Sequence, residues 1–267
     1  MKLTFRIEYR TAWGESIGVM LKGQENSPIM LGTSDGIVWE GSAEMIDAPA
    51  GVPLTYRYGV FLDGQCSRRE SGTMAHIFCP SKKQKSHYIL NDTWKDLPMA
   101  SHLYSAAFSG NYSLENTPKD QCTGQGDIVF RALCPCLHHR KQILGICGRE
   151  EQLGYWNPDR AICMEEIQAN EWIATLPIKD LKFPLEFKFV AINTSTGKVE
   201  EWEMGNNRHL HINDLRKGEI FFTNEMEVQF ASMSRKVAGT AIPVFSLRSE
   251  GSFGVGDFGD LKKLIDW

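Results

Sequence analysis

Three stretches of the chain hold residue types whose spacing could do chemistry. Cys134-Pro135-Cys136, with His138, His139 and Cys147 downstream, offers the thiolate and imidazole groups that bind zinc. The spacing is poor for a structural zinc site, and Cys134 and Cys136 extend an alternating apolar face begun by Ile128, Phe130 and Ala132. Buried free thiols and no metal are the expectation. Gly254-Val255-Gly256-Asp257-Phe258-Gly259 fits G-x-G-x-x-G, the turn that cradles a dinucleotide pyrophosphate. The sequence stops before an acidic ribose partner about 20 residues further on, so no nucleotide is expected. Gly148-Arg149-Glu150-Glu151-Gln152-Leu153-Gly154-Tyr155-Trp156 delivers a large indole into a Gly-rich turn followed by Asn157-Pro158. A turn of that composition lies at the surface, where a fully buried tryptophan is not expected.

The elements that must position these residues belong to a chain of 267 residues, long enough for two domains at about 150 residues each. With 42% hydrophobic and 23% charged residues, it has the composition of a globular protein with real cores. A net charge of −4 provides no overall field for nucleic acid or an anionic membrane. Met1-Lys2-Leu3-Thr4-Phe5-Arg6-Ile7-Glu8 alternates charged and apolar residues and lacks the apolar centre of a secretory signal. No apolar run approaches the ~20 residues of a spanning helix. Seven cysteines, an odd number, fit a reducing cytoplasm without disulfides.

Alternation at Leu3, Phe5, Ile7 and Tyr9 predicts a half-buried strand, and the same pattern returns at Ile128. Leu54-Thr55-Tyr56-Arg57-Tyr58-Gly59-Val60 matches Leu185-Glu186-Phe187-Lys188-Phe189-Val190-Ala191 in aromatic placement and central cation, at an offset of 131. Phe5-Arg6 against Phe130-Arg131 and Trp39 against Trp172 repeat the match at offsets of 125 and 133. Two related domains with small loop differences account for all three. Short extended stretches between Gly, Pro, Asn and Asp clusters predict β-sandwiches with few helices. Trp39 and Trp172, at matching strand positions, are expected in the cores. Residues 93–126 have connector composition but carry Trp94, Leu97, Leu103, Tyr104 and Phe108, which predicts a docked linker. Ala241 to Leu247 reads as a buried strand and Asp257 to Trp267 as a helix.

The ordered set Gly148 to Trp156, Trp172, Leu185 to Phe189, Trp202-Glu203 and Asn206-Asn207-Arg208 resembles the starch-binding domains of carbohydrate-binding module family 20, over residues 127–223. Residues 1–92 resemble the same family through Thr11-Ala12-Trp13-Gly14-Glu15, Trp39 and Tyr56-Arg57-Tyr58, but lack its Leu-Gly-x-Trp turn and its Trp-Glu…Asn-Arg signature. Pro243 to Ser249 and Ser252 to Asp257 resemble the opening of a family 77 4-alpha-glucanotransferase. The resemblances imply an all-β chain of two tandem immunoglobulin-like sandwiches, residues 1–92 and 127–223, joined by a linker at 93–126. Residues 224–267 would be a linker and the first strand–helix unit of a (β/α)8 barrel.

By resemblance the glucan-binding set is Trp156, Lys188, Trp202, Glu203 and Asn207, with Trp13 and Glu15 as a second site and Arg140 at the position matching Trp13. An indole covers the flat C–H face of a glucose ring and leaves the equatorial hydroxyls free. Burying half of each ring contributes on the order of 2 kcal/mol at about 25 cal/mol per Å². An open site of this kind implies a Kd between about 1 mM and a few μM. Lys188 would donate to sugar hydroxyls, and the Asn207 amide would both donate and accept. The implied function is the α-1,4-glucan-binding region of an enzyme that transfers glucan segments or glucosyl units from maltose or maltooligosaccharides to acceptors such as starch or glycogen. No catalytic carboxylate is assignable here, so the region is expected to be inactive alone, with no cofactor, no nucleic-acid or membrane partner and a homodimer left open. The competing reading is a non-binding scaffold that positions a catalytic domain or mediates dimerisation.

Overall fold

The structure, a computed structural model, describes residues 1–45, 52–71, 75–80, 87–96, 127–135, 137, 141–168, 170–178, 181–212, 215–216, 218–233 and 242–266. The first nine strands are β1 (Lys2–Glu8), β2 (Glu15–Leu21), β3 (Ile29–Met30), β4 (Gly32–Thr33), β5 (Val38–Glu44), β6 (Leu54–Leu62), β7 (Gln65–Arg69), β8 (His76–Phe78) and β9 (His87–Asp92). The next nine are β10 (Asp127–Leu133), β11 (Gln142–Gly148), β12 (Ile162–Cys163), β13 (Glu165–Gln168), β14 (Glu171–Pro177), β15 (Leu185–Asn193), β16 (Val199–Trp202), β17 (Arg208–Leu210) and β18 (Glu219–Glu227).

The second set repeats the pairing of the first, strand for strand. β1 runs antiparallel to β5 and parallel to β9, as β10 does to β14 and β18. β6 pairs with β2, β7 and β8, as β15 pairs with β11, β16 and β17. Ile7 faces Trp39 across one ladder and Ala132 faces Trp172 across the other. Both tryptophans are core residues, 5% and 2% exposed. Each fills the space between two sheets, as their matching strand positions predict.

The two repeats share a sheet instead of hanging as separate beads. β9 and β18 are the last strands of their repeats, and each would leave an open edge. They pair with one another in parallel, with Phe221 beside Ile89 and Phe222 beside Leu90, and create an eight-stranded sheet ordered β13-β14-β10-β18-β9-β1-β5-β4. Strand alternation sends Phe222 and Leu90 into one core and Phe221 and Ile89 into the other. The five-stranded sheets built on β2–β6 and on β11–β15 therefore cover opposite faces of the shared sheet. Residues 1–233 form one compact unit.

Six charged side chains are buried where the repeats join. Asp92 accepts from the hydroxyls of Tyr56 and Tyr58 at 2.7 Å each and from Arg131 Nη2 at 2.8 Å. Glu225 Oε1 faces Arg131 Nη1 at 3.2 Å, His76 Nδ1 at 3.1 Å and Lys95 Nζ at 3.4 Å. His76 Nε2 reaches Glu70 Oε1 at 3.0 Å. Three cations thus meet three carboxylates, a balance that removal of a single partner would upset. His76, Asp92 and Glu225 have metal-ligand geometry, but Arg131 and Lys95 already supply the positive charge there.

Of the predicted linker, residues 97–126 lie outside the described residues. Its start is docked, with Trp94 packed on Tyr9 at 4.4 Å and Lys95 buried.

Residues 234–267 form a second compact unit. The helix α1 (Phe258–Asp266) forms where the sequence pattern places it. The strand expected at 241–247 does not: Val244–Ser246 is a 3-10 turn, and Ala241 lies outside the described residues. A buried strand needs ladder partners, and none pairs with this segment among the described residues. Asp257 caps α1 by accepting from the N–H groups of Gly259 and Asp260 at 2.7 and 3.0 Å. Those are the donors a nucleotide phosphate would need. A Cβ on Gly256 would lie 2.1 Å from the Val244 carbonyl oxygen, so close turn packing accounts for that glycine.

Candidate glucan-binding site

Trp156 is held by a short run of unusual backbone. β11 ends at Gly148, a 3-10 turn spans Glu151–Leu153, and Leu153 is fully buried as its anchor. Gly154, Tyr155 and Trp156 then take φ of 82°, 53° and 59°, three consecutive left-handed residues. For two aromatic residues this conformation is costly and has to be imposed by the surroundings. The Tyr155 N–H bonds to the Glu150 carbonyl at 3.2 Å and the Trp156 N–H to the Gly148 carbonyl at 2.7 Å. Gly148 and Gly154 permit the close approach: a Cβ would lie 2.4 Å from the Glu186 oxygen at the first and 2.7 Å from the Arg160 oxygen at the second.

Trp202 arrives from the end of β16, opposite Val190 on β15. It rests on a small apolar bed of Cys147, Val190 and Ile192 on the outer face of that sheet. Burial raises the Cys147 thiol above its ordinary pKa, and the thiol packs with Val190 and Ile192 beneath the indole. Both indoles are half-buried, with ring centroids 6.2 Å apart and planes inclined at 41°. Two inclined apolar plates on the surface can stack against successive faces of a curved chain of flat rings.

The polar members of the predicted set divide. Asn207 is exposed and donates from Nδ2 to Glu186 Oε1 at 2.7 Å, which fixes its amide while its oxygen remains available. Lys188 spends its ammonium on the carbonyls of Glu203 at 3.1 Å and Gly205 at 2.7 Å. It ties the Trp202 loop down and keeps at most one N–H for a ligand. Glu203 requires correction. It is 3% exposed, accepts from the Phe189 N–H at 2.8 Å and is clamped by Arg208 Nη2 at 2.8 Å. A carboxylate so enclosed does not face a sugar; it braces the turn behind Trp202.

Glu186 and Arg208 received no role from the sequence, yet they orient Asn207 and Glu203. The available signal was strand alternation, which puts Glu186 on the same face of β15 as Lys188. In the first repeat Trp13 is fully exposed beside Gly14 at φ 86°, and Glu15 accepts from the Ala12 N–H at 2.7 Å. Arg140, Cys136, His138 and His139 lie outside the described residues. Cys134 is buried in the second core, as strand alternation predicts.

The fold and site define a β-sandwich carbohydrate-binding module. Residues 127–221 match the family model CBM_20, described as starch binding domain, and this region of the chain is such a domain. The chain is homologous to 4-alpha-glucanotransferase DPE2 of Oryza sativa subsp. japonica, at 27% identity over 288 residues. That match covers 99% of this chain and 30% of the relative, so the chain spans less than a third of that protein's length. Among solved structures it is similar to the family 15 glucoamylase from Hypocrea jecorina, at 19% identity and a TM-score of 0.32, over 42% of this chain and 19% of that one. It is also similar to the family 20 module of the maltotetraose-forming amylase from Pseudomonas saccharophila STB07, at 18% identity and a TM-score of 0.27, over 36% of this chain and 99% of that one.

Proposed function

We propose that the chain holds α-1,4-glucan on the Trp156–Trp202 shelf and presents it to a 4-alpha-glucanotransferase barrel that begins in residues 234–267. The observation that carries the reading is the inclined pair of surface indoles, 6.2 Å apart, in a domain of starch-binding type. Asn207 supplies hydrogen bonds to a sugar hydroxyl pair, Lys188 one further donor, and Glu203 with Arg208 holds the turn in place. Binding is weak, in the micromolar to millimolar range, because the shelf is open to water. That suits a polymer that must slide toward a second site. Trp13, with Glu15 bracing its turn, forms a second contact for long glucans.

The odd cysteine count and free thiols support a cytoplasmic setting. The proposed transfer activity, donor and acceptor follow from homology to the longer rice enzyme. Titration of maltoheptaose or β-cyclodextrin into the chain tests the binding. Saturable binding that is lost in Trp156→Ala/Trp202→Ala supports the shelf, and no binding by the wild type leaves only the scaffold reading.

A further inference from the structure

The turn that holds Trp156 carries a second aromatic residue whose presence the fold does not require. Tyr155 sits at φ 53°, in the left-handed region that glycine and asparagine occupy far more readily than a bulky ring. Trp156 takes the same conformation at φ 59°, and its indole makes half of the shelf. Tyr155 has no such account. Its side chain is 57% exposed, it joins no core cluster, and its hydroxyl has no hydrogen-bond partner among the described residues. A residue that raises the energy of its own backbone and packs on so little points to a use outside the fold.

The ring is nevertheless held in place. Asn157 caps the 3-10 turn Pro158–Arg160 by accepting from the Asp159 N–H at 3.0 Å, and the Arg160 N–H bonds to the Asn157 carbonyl at 2.9 Å. This turn closes back on Gly154, where a Cβ would meet the Arg160 carbonyl oxygen. Arg160 thereby arrives with its guanidinium carbon over the Tyr155 ring, 5.8 Å from the centroid. The cation covers one face, and the exposure of the side chain belongs to the rest of the ring. Successive left-handed residues turn their side chains by about 100°, the mirror image of the α-helical step. Tyr155 accordingly makes no ring contact with either indole among the described residues; it borders the shelf on the side of the 157–160 turn.

We propose that Tyr155, backed by Arg160, forms a further glucosyl subsite beside Trp156 and makes the shelf sensitive to chain length. This rests on the glucan-binding role given to Trp156 and Trp202. Each indole takes the face of one sugar, and the next sugar on the Trp156 side meets the open face of the Tyr155 ring. The phenol hydroxyl and the Arg160 N–H groups supply hydrogen bonds to its hydroxyls. A disaccharide is held by the indoles alone, and a longer chain gains the third plate.

The experiment is calorimetric titration of the full chain with maltose and maltoheptaose, for the wild type, Tyr155→Asn and Tyr155→Phe, with thermal denaturation of the same samples. Asparagine suits the left-handed backbone better than tyrosine, so the folding midpoint of Tyr155→Asn should equal or exceed that of the wild type. Its maltoheptaose affinity should fall by about three- to tenfold while its maltose affinity is unchanged. Tyr155→Phe keeps the plate and should retain maltoheptaose affinity within about twofold. Wild-type maltoheptaose affinity in Tyr155→Asn overturns the subsite. Equal losses for both sugars, or a lowered folding midpoint, overturn it too, because they assign Tyr155 to holding Trp156 in position. A wild type that binds neither sugar overturns the shelf itself, a result distinct from a failure of Tyr155 alone.

Discussion

Glu203 and Arg208 form a two-stranded ion pair, with Nε and Nη2 lying 2.9 and 2.8 Å from the same carboxylate oxygen. Its counterpart in the first repeat is Glu70 with His76: Glu70 accepts from the Tyr58 N–H as Glu203 does from the Phe189 N–H, each at 2.8 Å. The pair is therefore part of the repeated framework. Arg208→Met leaves the Glu203 carboxylate buried without its cation, and a loss of about 3 kcal/mol is expected. Urea denaturation checks this. A midpoint unchanged from wild type would return Glu203 to the list of ligand-facing groups.

Trp156 and Trp202 are expected to contribute separately and comparably. Each half-buried indole has room to cover one sugar face, so Trp156→Ala or Trp202→Ala should weaken maltoheptaose binding by about tenfold, roughly 1.4 kcal/mol. The folding midpoint should fall little for Trp202→Ala, because Val190 and Ile192 remain packed beneath it. Replacement of Gly154 by Ala, at φ 82° and against the Arg160 oxygen, should cost about 1–3 kcal/mol and weaken binding through Trp156 displacement. Calorimetry and thermal denaturation on the same samples separate the two effects. A Gly154→Ala variant with wild-type affinity and stability contradicts the role given to the turn.

The repeat was legible because strand alternation and aromatic spacing are local: Phe5 and Phe130, Trp39 and Trp172, and the β6 and β15 segments all lie at equivalent register positions. The parallel pairing of β9 with β18 was not, since nothing in either strand names its partner on an edge. Arg6 and Arg131 show the consequence. They match in sequence, yet Arg6 is exposed while Arg131 is buried against Asp92 and Glu225, because the other repeat covers only one of them. At the site, Trp156 and Trp202 could be read from a turn motif and a strand motif. Glu203 could not, because burial of a carboxylate depends on Phe189 and Arg208, which reach it from β15 and β17.

Trp13 is fully exposed and packs on no core cluster among the described residues. Trp13→Ala should shift the folding free energy by less than about 0.5 kcal/mol. Its effect belongs to ligands long enough to reach both sites, where effective concentration multiplies two weak contacts. Binding to soluble starch should fall several-fold while maltotriose binding at the Trp156–Trp202 shelf stays unchanged. Equal affinities for starch in variant and wild type would remove Trp13 from the site.

The junction of the repeats should confer a distinctive alkaline sensitivity. Burial opposes the charge on His76, but Asp92, Glu225 and Glu70 outweigh it and lift the imidazole from 6.5 to about 9. The groups facing it are those carboxylates, the hydroxyls of Tyr56 and Tyr58, and the cations Arg131 and Lys95. A pKa raised on folding means that the stabilisation is complete below about 6.5 and is lost as pH climbs through about 9. At about 1.4 kcal/mol per unit, the span is on the order of 3 kcal/mol. Glu225 has the opposite sign. Despite burial, Arg131, Lys95 and His76 hold it well below 4.5, so its contribution is present above that value and is lost as pH falls through its lower folded value. Denaturation midpoints measured between pH 6 and 10 should decline for the wild type from about 6.5 to about 9 and level off above that. His76→Gln should start lower and stay nearly flat, since the titrating proton is gone. Parallel slopes for the two proteins would place the alkaline loss elsewhere and strip the buried cluster of this role.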